Sequence, residues 1–375
     1  MRSHDGGRRR LAIYAAAILT VGVFAIALAA GASMIGGSVT GTDGGSSAID
    51  GHESNGADEI QGHSIVQGDQ CIPIEPLGDG DRTVEELYDY RHPETDPSAY
   101  TYSSHGTTHL QEDDTSILFL YEGSDGLSLV LVHDQFEGDT EGGALTMQID
   151  DLPESGEWVV EDDNYGDELD TRQLEEWDHG ETSSRITWVW SDGRTDGGAF
   201  NGGLEDGFAI QIDPAFNDDA DFRVYDGELT DWQALSGTED DPDRRSLDVS
   251  EPIEVRSDAC AEIADVDVDD VATAGERVEA VATLVNDGEY DETVTVPFAV
   301  DGEVVDERSV TLESGEERSV STAVEFPEAG DVPVSVGGEL THVTVSDDSF
   351  GGWTYAIAIA AVVLALTALV ARRIA

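Results

Sequence analysis

The sequence predicts a mainly β protein: two extracellular β-sandwich domains between an N-terminal and a C-terminal transmembrane helix. Three observations predict it. Two long uncharged apolar segments, residues 11–30 and 353–371, lie near the two ends of the 375 residues. Between them apolar and polar residues alternate with period 2 in run after run, the mark of half-buried strands. Asp-Gly, Asn-Asp-Gly and Ser-Gly turns separate those runs, supplying backbone that a strand cannot.

Crossing a bilayer core takes about 20 apolar residues in a helix. Arg2, Arg8, Arg9 and Arg10 precede the first segment, and Arg372 and Arg373 follow the second. Arginine-rich flanks stay cytoplasmic. Both termini are therefore expected in the cytoplasm, with the bulk of the chain outside the cell membrane. Residues 1–10 read as a basic cytoplasmic n-region and 11–30 as a transmembrane helix or a signal peptide. Ala27-Leu28-Ala29 and Ala30-Gly31-Ala32 would serve as small-residue cleavage sites. Residues 353–371 read as a second transmembrane helix, anchored at the interface by Trp353 and Tyr355. Residues 372–375 read as a short cytoplasmic tail. The lipid bilayer is the first expected partner.

The chain holds 81 Asp and Glu against 18 basic residues, a formal charge of −63. All 18 are Arg; Lys is absent. Only Asp5 among the acids lies outside the region between the apolar segments. Such self-repulsion disfavours a compact state in dilute buffer. At molar salt the Debye length is about 3 Å, and most of it is screened. The composition resembles that of proteins from extremely halophilic archaea. It also excludes a nucleic-acid partner, since that needs a basic surface.

Residues 33–70, rich in Gly, Ser and Asp without periodicity, read as a flexible acidic linker. Residues 71–260 read as a β-rich domain. Thr83-Val84-Glu85-Glu86 is a capping-box pattern, which predicts a short helix over 83–91. Strands are expected at 116–121, 127–136, 144–152, 158–161, 185–191, 208–213 and 221–225, and one helical turn at 171–177. Cys71 and Cys260 flank this block. A disulfide between them is the preferred reading over two free buried thiols. Closing so long a loop would contribute about 4–5 kcal/mol by the chain-entropy model.

Residues 262–346 form a second β domain, with strands at 278–285, 293–300, 303–312, 317–326, 331–336 and 340–345. Its length and strand spacing are those of an immunoglobulin-like sandwich, without an internal cysteine pair. Five turn signals occur in order: Ala274-Gly275-Glu276-Arg277-Val278, Val285-Asn286-Asp287-Gly288, Asp301-Gly302, Leu312-Glu313-Ser314-Gly315 and Pro327-Glu328-Ala329-Gly330. This stretch resembles the CARDB family, an immunoglobulin-like β-sandwich of bacterial and archaeal surfaces. The resemblance implies adhesion or a spacer role and brings no catalytic residue.

Chemistry-bearing motifs are sparse. His105 and His109 have a zinc spacing only on a helix, and the intervening Gly106-Thr107-Thr108 favours a loop. His133-Asp134 ends a strongly apolar run, but no Gly-x-Ser-x-Gly elbow accompanies it. Calcium is the possible cofactor, with oxygen-rich loops at Asp162, Asp163, Asn164 and Asp167, at Asp192 and Asp196, and at 217–219. None has the EF-hand register, and solvated turns explain them as well. The Gly-rich 197–203 lacks the Lys of a phosphate loop and reads as a tight turn or close backbone packing. No asparagine starts an N-glycosylation signal.

The sequence therefore reads as a membrane-tethered extracellular structural, adhesion or binding protein adapted to high salt, not an enzyme. The alternative is an accessory subunit of a membrane complex for transport or envelope assembly, whose partner is another envelope or membrane protein. An exported hydrolase comes third.

Overall fold

The structure, a computed structural model, describes residues 59–95, 102–164, 176–205 and 207–347. The readings at 1–10, 11–30, 353–371 and 372–375, with Arg8, Arg9, Arg10, Trp353, Tyr355, Arg372 and Arg373, lie outside the described residues. Among the described residues no helix is long and apolar enough to cross a membrane.

The chain is mainly β. The first lobe contains β1 (Gln61–Gln67), β2 (Gln70–Ile74), helix α1 (Val84–Tyr88), β3 (Thr115–Gly123), β4 (Gly126–His133), β5 (Gly143–Asp150), β6 (Glu157–Glu161), β7 (Glu176–His179), β8 (Ser184–Trp190), β9 (Asp196–Asn201), β10 (Ala209–Phe216), β11 (Asp231–Ser236), β12 (Asp243–Leu247) and β13 (Ile253–Asp258). One sheet runs β12-β11-β3-β4-β9-β6, and a second runs β1-β13-β10-β5-β8-β7 with β2 also on β1. Leu118, Leu120, Leu129 and Leu131 of the first meet Leu145, Met147, Ile186, Trp188, Ile210 and Val255 of the second.

β3 and β4 are buried on both faces. Their other side, with Ile117, Phe119, Tyr121, Val130 and Val132, packs under Val84, Leu87 and Tyr88 of α1. That is why their sequences are unbroken apolar runs rather than alternating ones. Each such side chain contributes roughly 1.5–3 kcal/mol on burial. α1 starts as expected. Thr83 Oγ1 accepts Glu86 N–H, and Glu86 Oε2 accepts Thr83 N–H, both at 3.2 Å. It is shorter than expected because Asp89 turns left-handed, at φ 48°.

The second lobe contains β14 (Glu262–Val268), β15 (Val271–Thr273), β16 (Arg277–Val285), β17 (Glu292–Val300), β18 (Glu303–Leu312), β19 (Glu317–Glu325), β20 (Gly330–Val336) and β21 (Glu339–Ser346). A three-stranded sheet, β14-β16-β19, faces β15-β21-β20-β17-β18. β15 runs parallel to β21; the other pairs in this lobe are antiparallel. Val278, Ala280, Ala282 and Leu284 point inward in strict alternation, against Val296, Phe298, Val334 and Val343. This is a β-sandwich. Asp301 and Gly302 take φ 54° and 78° between β17 and β18, the two-residue hairpin that Asp-Gly favours.

Several expectations are corrected. The flexible linker at 33–70 is too long, because β1 lies inside it and pairs with both β2 and β13. Gln61 of β1 also pairs with Thr295 of β17, so one sheet runs from lobe to lobe. Of 171–177, Glu176 and Trp177 belong to a strand, β7, which pairs with β8 rather than coiling. Residues 221–225 are not a strand; Arg223 instead folds back onto the carbonyls of Tyr225, Asp226 and Gly227. The Gly-rich stretch opens as β9 in mid-sheet.

Candidate functional site

The lobe junction is the most elaborated feature. Cys71, in β2, and Cys260, just past β13, are joined by a disulfide with Cα atoms 5.7 Å apart. Glu292 at the start of β17 reaches across to it. Its Oε1 accepts Cys260 N–H at 2.8 Å and its Oε2 accepts Ala261 N–H at 2.7 Å. Burial raises the Glu292 carboxyl above the usual range, outweighing these two bonds and Arg256. Beside it lies an open cleft of about 790 Å³, lined by His63, Arg245, Tyr290, Glu292 and Thr293 among others. The Arg245 guanidinium sits 4.2 Å from the Tyr290 ring centre, a cation–π contact. Burial lowers the pKa of His63.

Of the calcium candidates, Asp162, Asp163, Asn164 and Asp196 bond within the fold. Asp162 is buried and accepts the Tyr88 hydroxyl at 3.0 Å. Asp163 Oδ1 accepts Tyr102 N–H at 3.0 Å, and Asn164 donates to Glu161. Asp196 is buried and takes Gly197 N–H at 2.8 Å and Val189 N–H at 3.0 Å. The Asp196 carboxylate thus ties β9 to β8, and the Asp162 carboxylate ties the end of β6 to α1. Asp192 stays at an exposed turn. Asp167 lies outside the described residues. At 217–219, the Asn217 amide is spent on Leu229, as donor and acceptor.

Two Ser–His contacts bear on the hydrolase reading. Ser116 Oγ lies 2.9 Å from His133 Nδ1. A triad needs a carboxylate on the other ring nitrogen, and His133 Nε2 has no hydrogen-bond partner. It is buried against Trp188, 4.6 Å between ring centres. Asp134, next in the chain, instead accepts Trp190 Nε1 at 2.7 Å and two backbone N–H groups. Ser184 Oγ lies 2.9 Å from His179 Nδ1, and His179 Nε2 lies 3.3 Å from Glu161 Oε1. Here the order is right, but Ser184 is buried and Trp158 Nε1 donates to the same oxygen at 3.0 Å. Its hydroxyl oxygen is shared by two ring nitrogens, Trp158 Nε1 and His179 Nδ1.

His105 and His109 do not meet as a pair of ligands. His109 turns to Glu239, 3.2 Å away. His105 instead joins Asp89 and His92, a grouping that sequence spacing did not reveal. The Gly-rich reading of close packing fits: a Cβ on Gly197 would lie 2.1 Å from the Leu131 carbonyl oxygen.

No protein-family model matches the chain, and no curated protein sequence does. Among solved structures, it is similar in part to a red sea bream transglutaminase (9% identity, TM-score 0.20, covering 59% of this chain and 29% of that chain). It is also similar to a GH2 beta-galacturonidase from Eisenbergiella tayi (11% identity, TM-score 0.19, 76% and 42%). An exo-chitosanase from Amycolatopsis orientalis has 14% identity, TM-score 0.17, and coverage of 57% and 25%. The chain spans less than half the length of each. At these TM-scores the likeness carries no argument about activity.

Proposed function

We propose that this chain is a membrane-tethered extracellular module that acts by contact rather than catalysis and is adapted to high salt. In this reading the second lobe, the one resembling CARDB, spaces the first lobe from the bilayer, and the first lobe meets the partner. The observation that carries it is the lobe junction. A shared sheet, a disulfide and the Glu292 carboxylate tie the two lobes at one place, which suits a spacer that must hold its partner at a set distance. The charge of −63 supports the high-salt part.

The test is surface cross-linking on intact cells in high-salt medium, followed by identification of what is captured. Capture of envelope polymer, surface protein or a second copy of this chain is expected. A single membrane protein captured in fixed stoichiometry would replace this reading with that of an accessory subunit.

A further inference from the structure

At the foot of α1 the side chains of Asp89, His92, Glu94 and His105 converge. The geometry points to a binding site there for a borderline transition-metal dication of the Zn²⁺ class. Three short segments build it. α1 stops at Asp89, whose left-handed backbone sends its N–H back to the Glu85 carbonyl at 2.9 Å. A 3₁₀ turn, Pro93–Thr95, sets Glu94 beside His92. The chain then returns beneath the helix end. There Gly106 N–H bonds the Tyr88 carbonyl at 3.2 Å, and a Cβ on Gly106 would lie 1.8 Å from the Leu87 oxygen. Ser104 Oγ bonds the same Tyr88 carbonyl at 3.0 Å. His105 is thereby held against the helix end.

The donor chemistry follows from the contacts. His105 Nε2 lies 3.1 Å from Glu94 Oε2. A carboxylate there keeps the ring proton on Nε2, as the outer carboxylates of metal-bound histidines do. The lone pair is then on Nδ1, which faces Asp89 Oδ2 at 3.7 Å. A cation placed between these two atoms would be held by both. His92 Nε2 lies 4.0 Å from the same oxygen, and all three donor atoms fall within 4.8 Å of one another. Zn²⁺ bonds of about 2.0–2.1 Å put tetrahedral ligands roughly 3.4 Å apart, near the 3.7 and 4.0 Å that separate the two imidazole nitrogens from Asp89 Oδ2. One dication with Asp89 and Glu94 is also charge-neutral.

Binding has a structural consequence. The two imidazoles are stacked, 3.8 Å between centres and 8° between planes. In-plane lone pairs of parallel rings cannot reach one ion. His92 Nδ1 also accepts Glu94 N–H at 3.2 Å, which keeps that nitrogen unprotonated. The His92 ring must therefore turn and give up this bond. Its side chain is 31% exposed, so there is room. Two imidazoles exclude Ca²⁺ and Mg²⁺, which take oxygen ligands. Three protein ligands leave a position open to water.

The test is titration of the full-length chain, in detergent and high salt near neutral pH, with ZnCl₂ by calorimetry and with Co²⁺ by visible absorption. One ion per chain and a tetrahedral Co²⁺ band are expected, undisturbed by excess Ca²⁺. His105→Ala and Asp89→Asn should abolish both signals; Glu94→Gln should weaken affinity by roughly 10–100-fold. His109→Ala should change nothing. Asn tolerates the left-handed backbone at position 89, so D89N should keep the circular dichroism of the parent. Absence of saturable Zn²⁺ binding would overturn the proposal and leave His105 simply in contact with the Asp89 and Glu94 carboxylates. Binding that survives in both H105A and D89N would overturn it as well.

Discussion

Glu292 Oε1 accepts the backbone N–H of Cys260 at 2.8 Å, so the residue that closes the disulfide is also fixed from the second lobe. The neighbouring Ala261 N–H is taken by the same carboxylate and is buried. Glu292→Ala leaves these donors without their acceptor. At about 1–3 kcal/mol for an unsatisfied buried group, a loss of roughly 2–4 kcal/mol is expected, read from the urea midpoint in high salt. An unchanged midpoint would mean that water replaces the carboxylate.

The disulfide closes a loop with a sequence separation of 189. The chain-entropy model gives about 5 kcal/mol for a loop of that length. Non-reducing mass spectrometry should recover Cys71 linked to Cys260. Reduction should lower the melting temperature at every salt concentration.

Burial lowers the pKa of His133 from 6.5 to about 3. The unfolded chain therefore binds a proton in this window that the folded chain does not. Stability is complete above pH 6.5 and falls as pH drops from there toward 3, by on the order of a few kcal/mol. His133→Asn, which keeps a hydrogen-bonding group beside Ser116, should flatten that acid limb. Denaturant midpoints measured at steps from pH 7 to pH 4 would decide it.

Gly197 has no room for a side chain beneath the Leu131 carbonyl. Gly197→Ala is expected to cost about 1–3 kcal/mol by overpacking while the sheet pairing persists. A larger effect on ligand capture than on stability would instead favour a ligand role for the Gly-rich strand.

Salt should matter throughout. Below roughly 1 M the screening of so many carboxylates weakens, and circular dichroism should show unfolding. A spectrum unchanged in dilute buffer would refute the high-salt adaptation.

Legibility in the sequence was uneven, for physical reasons. In the second lobe β16 to β21 were readable because Val278 to Leu284 alternate without a break and Gly275, Gly302 and Gly315 punctuate the turns, whereas β14 and β15 were not read. β3 and β4 announced themselves by uninterrupted apolar runs. β1 did not: Gln61–Gln67 holds only two aliphatic residues in Gly- and Ser-rich surroundings, and β13, one of its two partners in the lobe, is nearly two hundred residues away. The meeting of His92 with His105 was invisible as well. It depends on where α1 stops and on the close approach of Gly106, neither of which has a spacing rule. His109, four residues on in the loop that Gly106-Thr107-Thr108 predicts, turns to Glu239 instead.

The disulfide has a mechanical consequence. A pull between β1 and the second lobe enters at Gln61, reaches Cys71 within β2, and passes through the sulfur bridge straight to Cys260 and β14. The residues between the two cysteines carry none of that tension. At roughly 3.3–3.6 Å per extended residue, about 600 Å of contour cannot be paid out while the bridge is intact. Breaking the bridge in a reducing environment would turn a short, inextensible link into a long elastic one.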